Sequence, residues 1–157
     1  MYVERRAPDV CEFSQTEPSR STICDVTETL QATEVVRGLF DGLKNRDIDH
    51  VISRLDDAVV WHNVGLPKVR GISRVGKFMR LLAKPGYGFD VTIHNIAADG
   101  NIVLTERTDV LVWHRLRIEF WVCGTFEVRD GKVQVWRDYF DNVDFFKGFV
   151  KGAFRAM

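Results

Sequence analysis

Hydrophobic residues recur along this chain at two spacings, and the change from one to the other divides it in two. In the first part the spacing is helical. Asp25-Val-Thr-Glu28 sets a capping acceptor three residues ahead of a glutamate, which marks a helix start. A helix from there to about Lys44 places Leu30, Val36, Leu39, Phe40 and Leu43 on a broad apolar face. Asn45-Arg46 breaks it, and Asp47 can cap a short second helix with Ile48, Val51, Ile52 and Leu55 inward. Ala58-Val-Val-Trp-His-Asn63 reads as a first strand, ended by Gly65-Leu-Pro67. Ile72, Val75, Phe78, Met79 and Leu82 then predict a third helix over Gly71 to Ala83, with a turn at Lys84-Pro-Gly-Tyr-Gly88.

From Phe89 the period drops to two. Phe89, Val91 and Ile93 alternate with Asp90, Thr92 and His94 in a strand to Ala97, and Asp99-Gly100 turns the chain into a long strand over Ile102 to Trp113. Leu116, Ile118, Phe120, Val122, Phe126 and Val128 alternate along the next, where Gly124 suggests a bulge or bend. Asp130-Gly131 is a two-residue hairpin signal, and the last strand runs from Lys132 to about Phe140. Val143 to Ala156, rich in Phe, predicts a terminal helix that packs on the sheet mouth or on a partner.

Helices gathered first and long antiparallel strands second define an α+β domain. The expected architecture is a strongly curved mixed β-sheet covered by the N-terminal helices, enclosing a cone-shaped pocket suited to a small ligand. Residues 1–24 mix Ser, Thr, Pro and both charge signs without periodicity and read as a disordered leader, leaving 25–157 as a single domain. A chain of 157 residues can bury one substantial core and has little room for two.

Composition narrows the partners. Twenty-two basic and 22 acidic residues cancel, so nothing draws the chain as a whole to nucleic acid or to anionic membranes. The N-terminus lacks a signal-like apolar run, and no stretch approaches the ~18 apolar residues of a membrane span. A cytoplasmic protein without a membrane anchor is the expectation. Cys11, Cys24 and Cys123 are odd in number and lack CxxC spacing, and His50, His62, His94 and His114 lack ligand spacing, so no metal site is expected. Cys123 could line the pocket but has no evident base. Eleven Phe and four Trp imply large apolar surfaces, in the core or around a greasy ligand.

Against that background three charges stand out. Alternation puts Arg107 and Asp109 on the same face as Val103, Leu111 and Trp113, and Asp138 on the face of Trp136 and Phe140. Charges on apolar faces are costly unless paired or functional. Converging in one pocket with both carboxylates ionised, the trio would carry −1, and one shared proton would make it neutral. One Asp could then act as an acid and the other as a base, with the arginine orienting both. Such a pair suits a reaction that donates and removes protons together, such as opening an epoxide with water. Val103, Leu111, Phe120, Val122, Trp136 and Phe140 would line the pocket, which points to a bulky apolar substrate of terpene or sterol/lipid kind.

Glu106-Arg-Thr-Asp-Val-Leu111, Trp136-Arg-Asp-Tyr-Phe-Asp141 and the earlier His62-Asn63 resemble the signature segments of the limonene-1,2-epoxide hydrolase family. The similarity runs in order over roughly Val35 to Gly152 and is densest from Phe89 to Gly148, including Phe120-Trp-Val-Cys-Gly124. It implies a SnoaL-like sheet cone with helices at its mouth, a homodimer and no cofactor. It also implies roles: Asp138 as the base that activates water, Asp109 as the acid that protonates the epoxide oxygen, Arg107 as the bridge, and Asn63 as a holder of the water. Where the family uses a tyrosine on that water, this chain has Trp61, whose indole N–H donates but cannot accept. Tyr139 and Asp141 are assigned structural places. Two rival readings share the cone: an isomerase or cyclase moving a proton beside a carbonyl, and a non-catalytic binder of hydrophobic ligands or dimerisation module.

Overall fold

The computed structural model describes residues 20–141, 143, 145–147, 149 and 150, with side chains from residue 26 onward. Helix α1 (Arg20–Asn45) begins ahead of the Asp25 start, so residues 20–24 are helical; residues 1–19 lie outside the described part. No proline or glycine stands between Arg20 and Gly38 to stop the helix extending backward. Its buried stripe is Ala32, Val35, Val36, Leu39, Phe40 and Leu43, at i, i+3, i+4, i+7, i+8 and i+11. Leu30 falls off that stripe and is exposed, contrary to the expected apolar face. Asp47 caps α2 (Ile48–Ser53) by accepting a hydrogen bond from the His50 backbone N–H at 3.0 Å.

Strand β1 (Leu55–Asn63) is followed by a two-residue strand β2 (Val69–Arg70), too short for alternation to reveal. Helix α3 (Ile72–Leu82) turns Val75, Met79 and Leu82 inward. Four long strands complete the chain: β3 (Tyr87–Asp99), β4 (Ile102–Trp113), β5 (Leu116–Arg129) and β6 (Lys132–Tyr139). The β5–β6 hairpin turns on Asp130 and Gly131, both with positive φ (50° and 71°), as a two-residue turn of the right twist requires. Residues 143, 145–147, 149 and 150 are helical, with the Val143 N–H bonded to Asp141 Oδ1 at 2.7 Å; the rest of the expected terminal helix lies outside the described residues.

The sheet order is β2-β1-β6-β5-β4-β3, antiparallel throughout except for the parallel β1–β6 pair, hence mixed. Register shifts between Leu55 and Val60, Ile93 and Asn95, and Glu127 and Val128 bend it into a curved, open shell. Gly124 is not a bulge, one of the two features expected of it, because pairing runs through it unbroken on both sides. The helices close over one face of the sheet, and the core lies between them; the other face exposes Leu104, Trp121 and Tyr139. None of the described helices is long and apolar enough to cross a membrane.

Candidate active site

Cross-strand rows on the covered face build the site. In one row Trp61 (β1), Trp136 (β6), Phe126 (β5) and Val103 (β4) are successive partners. Two residues further along each strand the row reads Asn63, Asp138, Gly124 and Thr105. Beyond that, Val122 stands opposite Arg107, and Phe120 opposite Asp109. The side-chain period of two puts all of these on one face.

Arg107 is fully buried, and its guanidinium makes three hydrogen bonds. Nε donates to Asp109 Oδ1 at 2.9 Å, Nη1 to Thr105 Oγ1 at 3.0 Å, and Nη2 to Asp138 Oδ1 at 2.6 Å. To reach Asp138 from β4 the side chain crosses β5, and it crosses at Gly124, between Thr105 and Asp138 in their row. A Cβ at position 124 would overlap Arg107 Nη1 and stand 2.8 Å from Thr105 Oγ1 and 2.9 Å from Phe126 Cε2. The glycine therefore makes room for the ion.

Both carboxylates face a cavity of about 160 Å³, and Arg107 lies behind them. Leu111, Phe120, Val122, Trp136 and Phe140 line this cavity as expected from alternation, together with Trp61 and Asn63. Val103 does not. It lies in the Trp61–Trp136–Phe126 row, on the far side of the guanidinium from the cavity, and is fully buried in the core cluster. Cys123 alternates onto the opposite face from Val122 and is not on the cavity wall, and Tyr139 is exposed. The remaining wall comes from the helical layer (Leu43, Phe78, Met79 and Leu82), the turn after β1 (Leu66), strand β3 (Phe89) and the C-terminal segment (Phe145). A larger cleft of about 450 Å³, lined by Thr27, Gln31, Asn101 and Asp130 among others, contains none of the charged trio.

Electrostatics single out Asp109. Burial pushes the Asp109 carboxyl up to about 6, against the pull of the Arg107 charge and hydrogen bond, while the Asp138 charge adds to the rise. Burial works against the Arg107 cation, but its two carboxylate partners outweigh that and raise its pKa. One proton shared between the two carboxyl groups would leave the cluster near neutral.

Trp61 packs against Phe78 and Trp136, with ring centroids 4.8 and 5.6 Å apart. Its Nε1–H, like that of Trp136, is buried with no acceptor among the described residues. Thr105 and Gly124 were missed as site residues by the sequence reading. Thr105 shares the parity of Arg107 and Asp109, so alternation could have flagged it; Gly124 could be recognised only once the strand pairing was known.

The fold is an α+β curved-sheet cone whose apolar hollow holds two carboxyl groups bridged by an arginine. Residues 30–151 match the family model of the limonene-1,2-epoxide hydrolase catalytic domain. Epoxide hydrolase EphG of Mycobacterium tuberculosis is 44% identical over 137 residues, covering 83% of this chain and 91% of its own. The solved structure of an M. tuberculosis LEH-like epoxide hydrolase superposes with a TM-score of 0.77 at 46% identity, over 81% of this chain and 95% of that one. An NTF2-like protein from Cytophaga hutchinsonii, 15% identical with a TM-score of 0.62 over 73% of this chain and 94% of its own, shares the fold alone. The chain belongs to the limonene-1,2-epoxide hydrolase family, and the enzyme is a hydrolase of that kind.

Proposed function

We propose that this enzyme adds water to a bulky apolar epoxide, of terpene or sterol/lipid kind, in one step and without a cofactor, giving a vicinal diol. The observation that carries this reading is the guanidinium bonded at once to two cavity-facing carboxyl groups, of which Asp109 holds its proton more tightly than an ordinary aspartate. Asp138 takes a proton from water as the water oxygen bonds to an epoxide carbon. The carbon–oxygen bond breaks, and Asp109 gives its proton to the departing oxygen. Moving the proton from Asp138 back to Asp109 resets the pair. Asn63, beside Asp138 on the adjoining strand, holds the water, and Trp61 can donate its free indole N–H to the same molecule. The apolar cavity wall supports a greasy substrate.

A single turnover in heavy-oxygen water tests the chemistry: label should enter the diol directly. Label found first in an aspartate would mean a covalent ester and exclude the one-step mechanism.

The acid assignment fixes a pH dependence. In the free enzyme Asp109 is protonated below about 6, so kcat/KM should fall above that pH, approaching tenfold per unit. A bound apolar epoxide displaces water and disfavours the ionised form further, so the limb in kcat should lie at higher pH. Stability carries the same signature. Asp109 binds its proton more tightly folded than unfolded, so its contribution is complete below its ordinary 3.8 and is lost as pH rises through about 6. A profile of kcat/KM flat from pH 5 to about 8 would remove Asp109 as the acid.

The reading includes a homodimer formed through the uncovered sheet face. On that face Trp121 Nε1 and Asn95 Nδ2 both donate to Glu106, at 3.2 and 2.6 Å, which fixes an exposed indole on the surface that also exposes Leu104 and Tyr139. Light scattering should give twice the chain mass for the native protein and one chain mass for Trp121→Arg. A monomeric native protein would refute it.

A further inference from the structure

Edge hydrogen bonds hold the Arg107 guanidinium within its own plane, because its donors all lie in that plane and none points from its faces. They resist sliding better than tilting. Tilt matters here, since a rotated plane cannot keep Nε on Asp109 and Nη2 on Asp138 together. The guanidinium carbon sits over an aromatic ring from the helical layer. The Arg107 Cζ sits 4.7 Å from the centroid of Phe40, with the Phe126 centroid further off at 5.9 Å. Phe40 is 1% exposed, and its own plane is fixed by near-perpendicular contacts with Phe126 and Trp136, at 5.7 and 5.8 Å and interplanar angles of 87° and 83°.

We propose that Phe40 is a positioning residue for the reaction: its ring face sets the tilt of the Arg107 guanidinium and so the placing of both carboxyl groups. The proposal rests on the roles given above to Arg107, Asp109 and Asp138. Phe40 does not line the cavity and touches no reacting atom, so it acts only through the arginine. A leucine could fill much of the same volume, but it has no negative ring face to attract the cation. The helix that carries Phe40 also supplies Leu43 to the cavity wall, so α1 serves the charged trio as well as the core.

Two replacements test this, Phe40→Leu and 3,4,5-trifluorophenylalanine at position 40, which keeps the ring shape but withdraws its negative face. Carbon-13 NMR of the aspartate carboxyl groups, with Asp109→Asn identifying the resonance, follows Asp109 without any substrate. Limonene-1,2-epoxide serves as the kinetic probe. Phe40→Leu should lower kcat about tenfold with KM changed less than about twofold, the mark of lost alignment rather than lost binding. The Asp109 titration midpoint should move upward, because a guanidinium no longer held against the carboxyl favours its ionised form less. The fluorinated protein should move both quantities the same way by smaller amounts. A fluorinated protein with the native titration midpoint would reduce Phe40 to packing, whatever Phe40→Leu does to activity. Should Phe40→Leu fail to fold, the fluorinated protein decides alone. Full activity in Asp138→Asn would instead bring down the catalytic reading, and the NMR result separates the two failures.

Discussion

Asp138→Asn is expected to lower kcat by about 10⁴-fold or more while the protein stays folded. Part of the loss is direct, because an amide cannot take a proton from water. The rest comes through Asp109. In the native trio two carboxyl groups share the cation, and burial lets Asp109 keep its proton up to about pH 6. With Asp138 neutral, the buried cation needs another counter-ion, and the Asp138 charge that helps raise the Asp109 pKa is gone. Asp109 then ionises at lower pH and ceases to be an acid, so one substitution removes both proton carriers. The same bookkeeping keeps the fold intact, since arginine and a single carboxylate still cancel. Asp109→Asn should be milder, about 10²- to 10³-fold, because Asp138 stays ionised and the new amide can still donate a hydrogen bond to the epoxide oxygen. Diol formation, measured beside circular dichroism on each variant, checks the ranking. Native turnover by Asp138→Asn would end the assignment of the base.

This charge logic could be anticipated from sequence because alternation in a strand is nearly a geometric identity: Arg107, Asp109 and Leu111 must share a face once they share a strand. The hairpin at Asp130-Gly131 was as clear, since few residue pairs accept two positive φ angles in succession. The family segments added the cone. What remained hidden depends on registration between elements distant in sequence. Val103 has the right parity for the cavity, but in its row it faces Phe126 and is buried with it in the core, while Trp61 and Trp136 of the same row reach the wall. Gly124 read as a bend, because an isolated strand glycine usually signals one; the space it gives a neighbouring guanidinium exists only after β4, β5 and β6 are aligned. Leu30 looked apolar enough to be buried until the stripe on α1 was fixed by its partners. Phe40 is one of many core-facing aromatics in sequence, and only its ring contact with Arg107 distinguishes it.

Arg107→Gln is expected to be the most destabilising change in the site. The guanidinium is 0% exposed and joins two carboxyl groups that are nearly buried themselves, so its removal leaves acids facing each other across an apolar layer. Breaking a buried pair from one side typically costs about 3–5 kcal/mol, which for a chain of this size lowers Tm by roughly 10 °C. The cost has a pH signature opposite to that of ordinary acid unfolding. It is greatest where both carboxyl groups would ionise and shrinks as acid supplies protons, so the gap in Tm from the native enzyme should narrow from pH 8 to about 5. Asp109→Asn in the Arg107→Gln background removes one of the two acids and should recover much of the lost stability, while activity stays absent. If the double variant is no more stable than Arg107→Gln, the loss comes from the cavity left by the shortened side chain, and charge repulsion is not its cause.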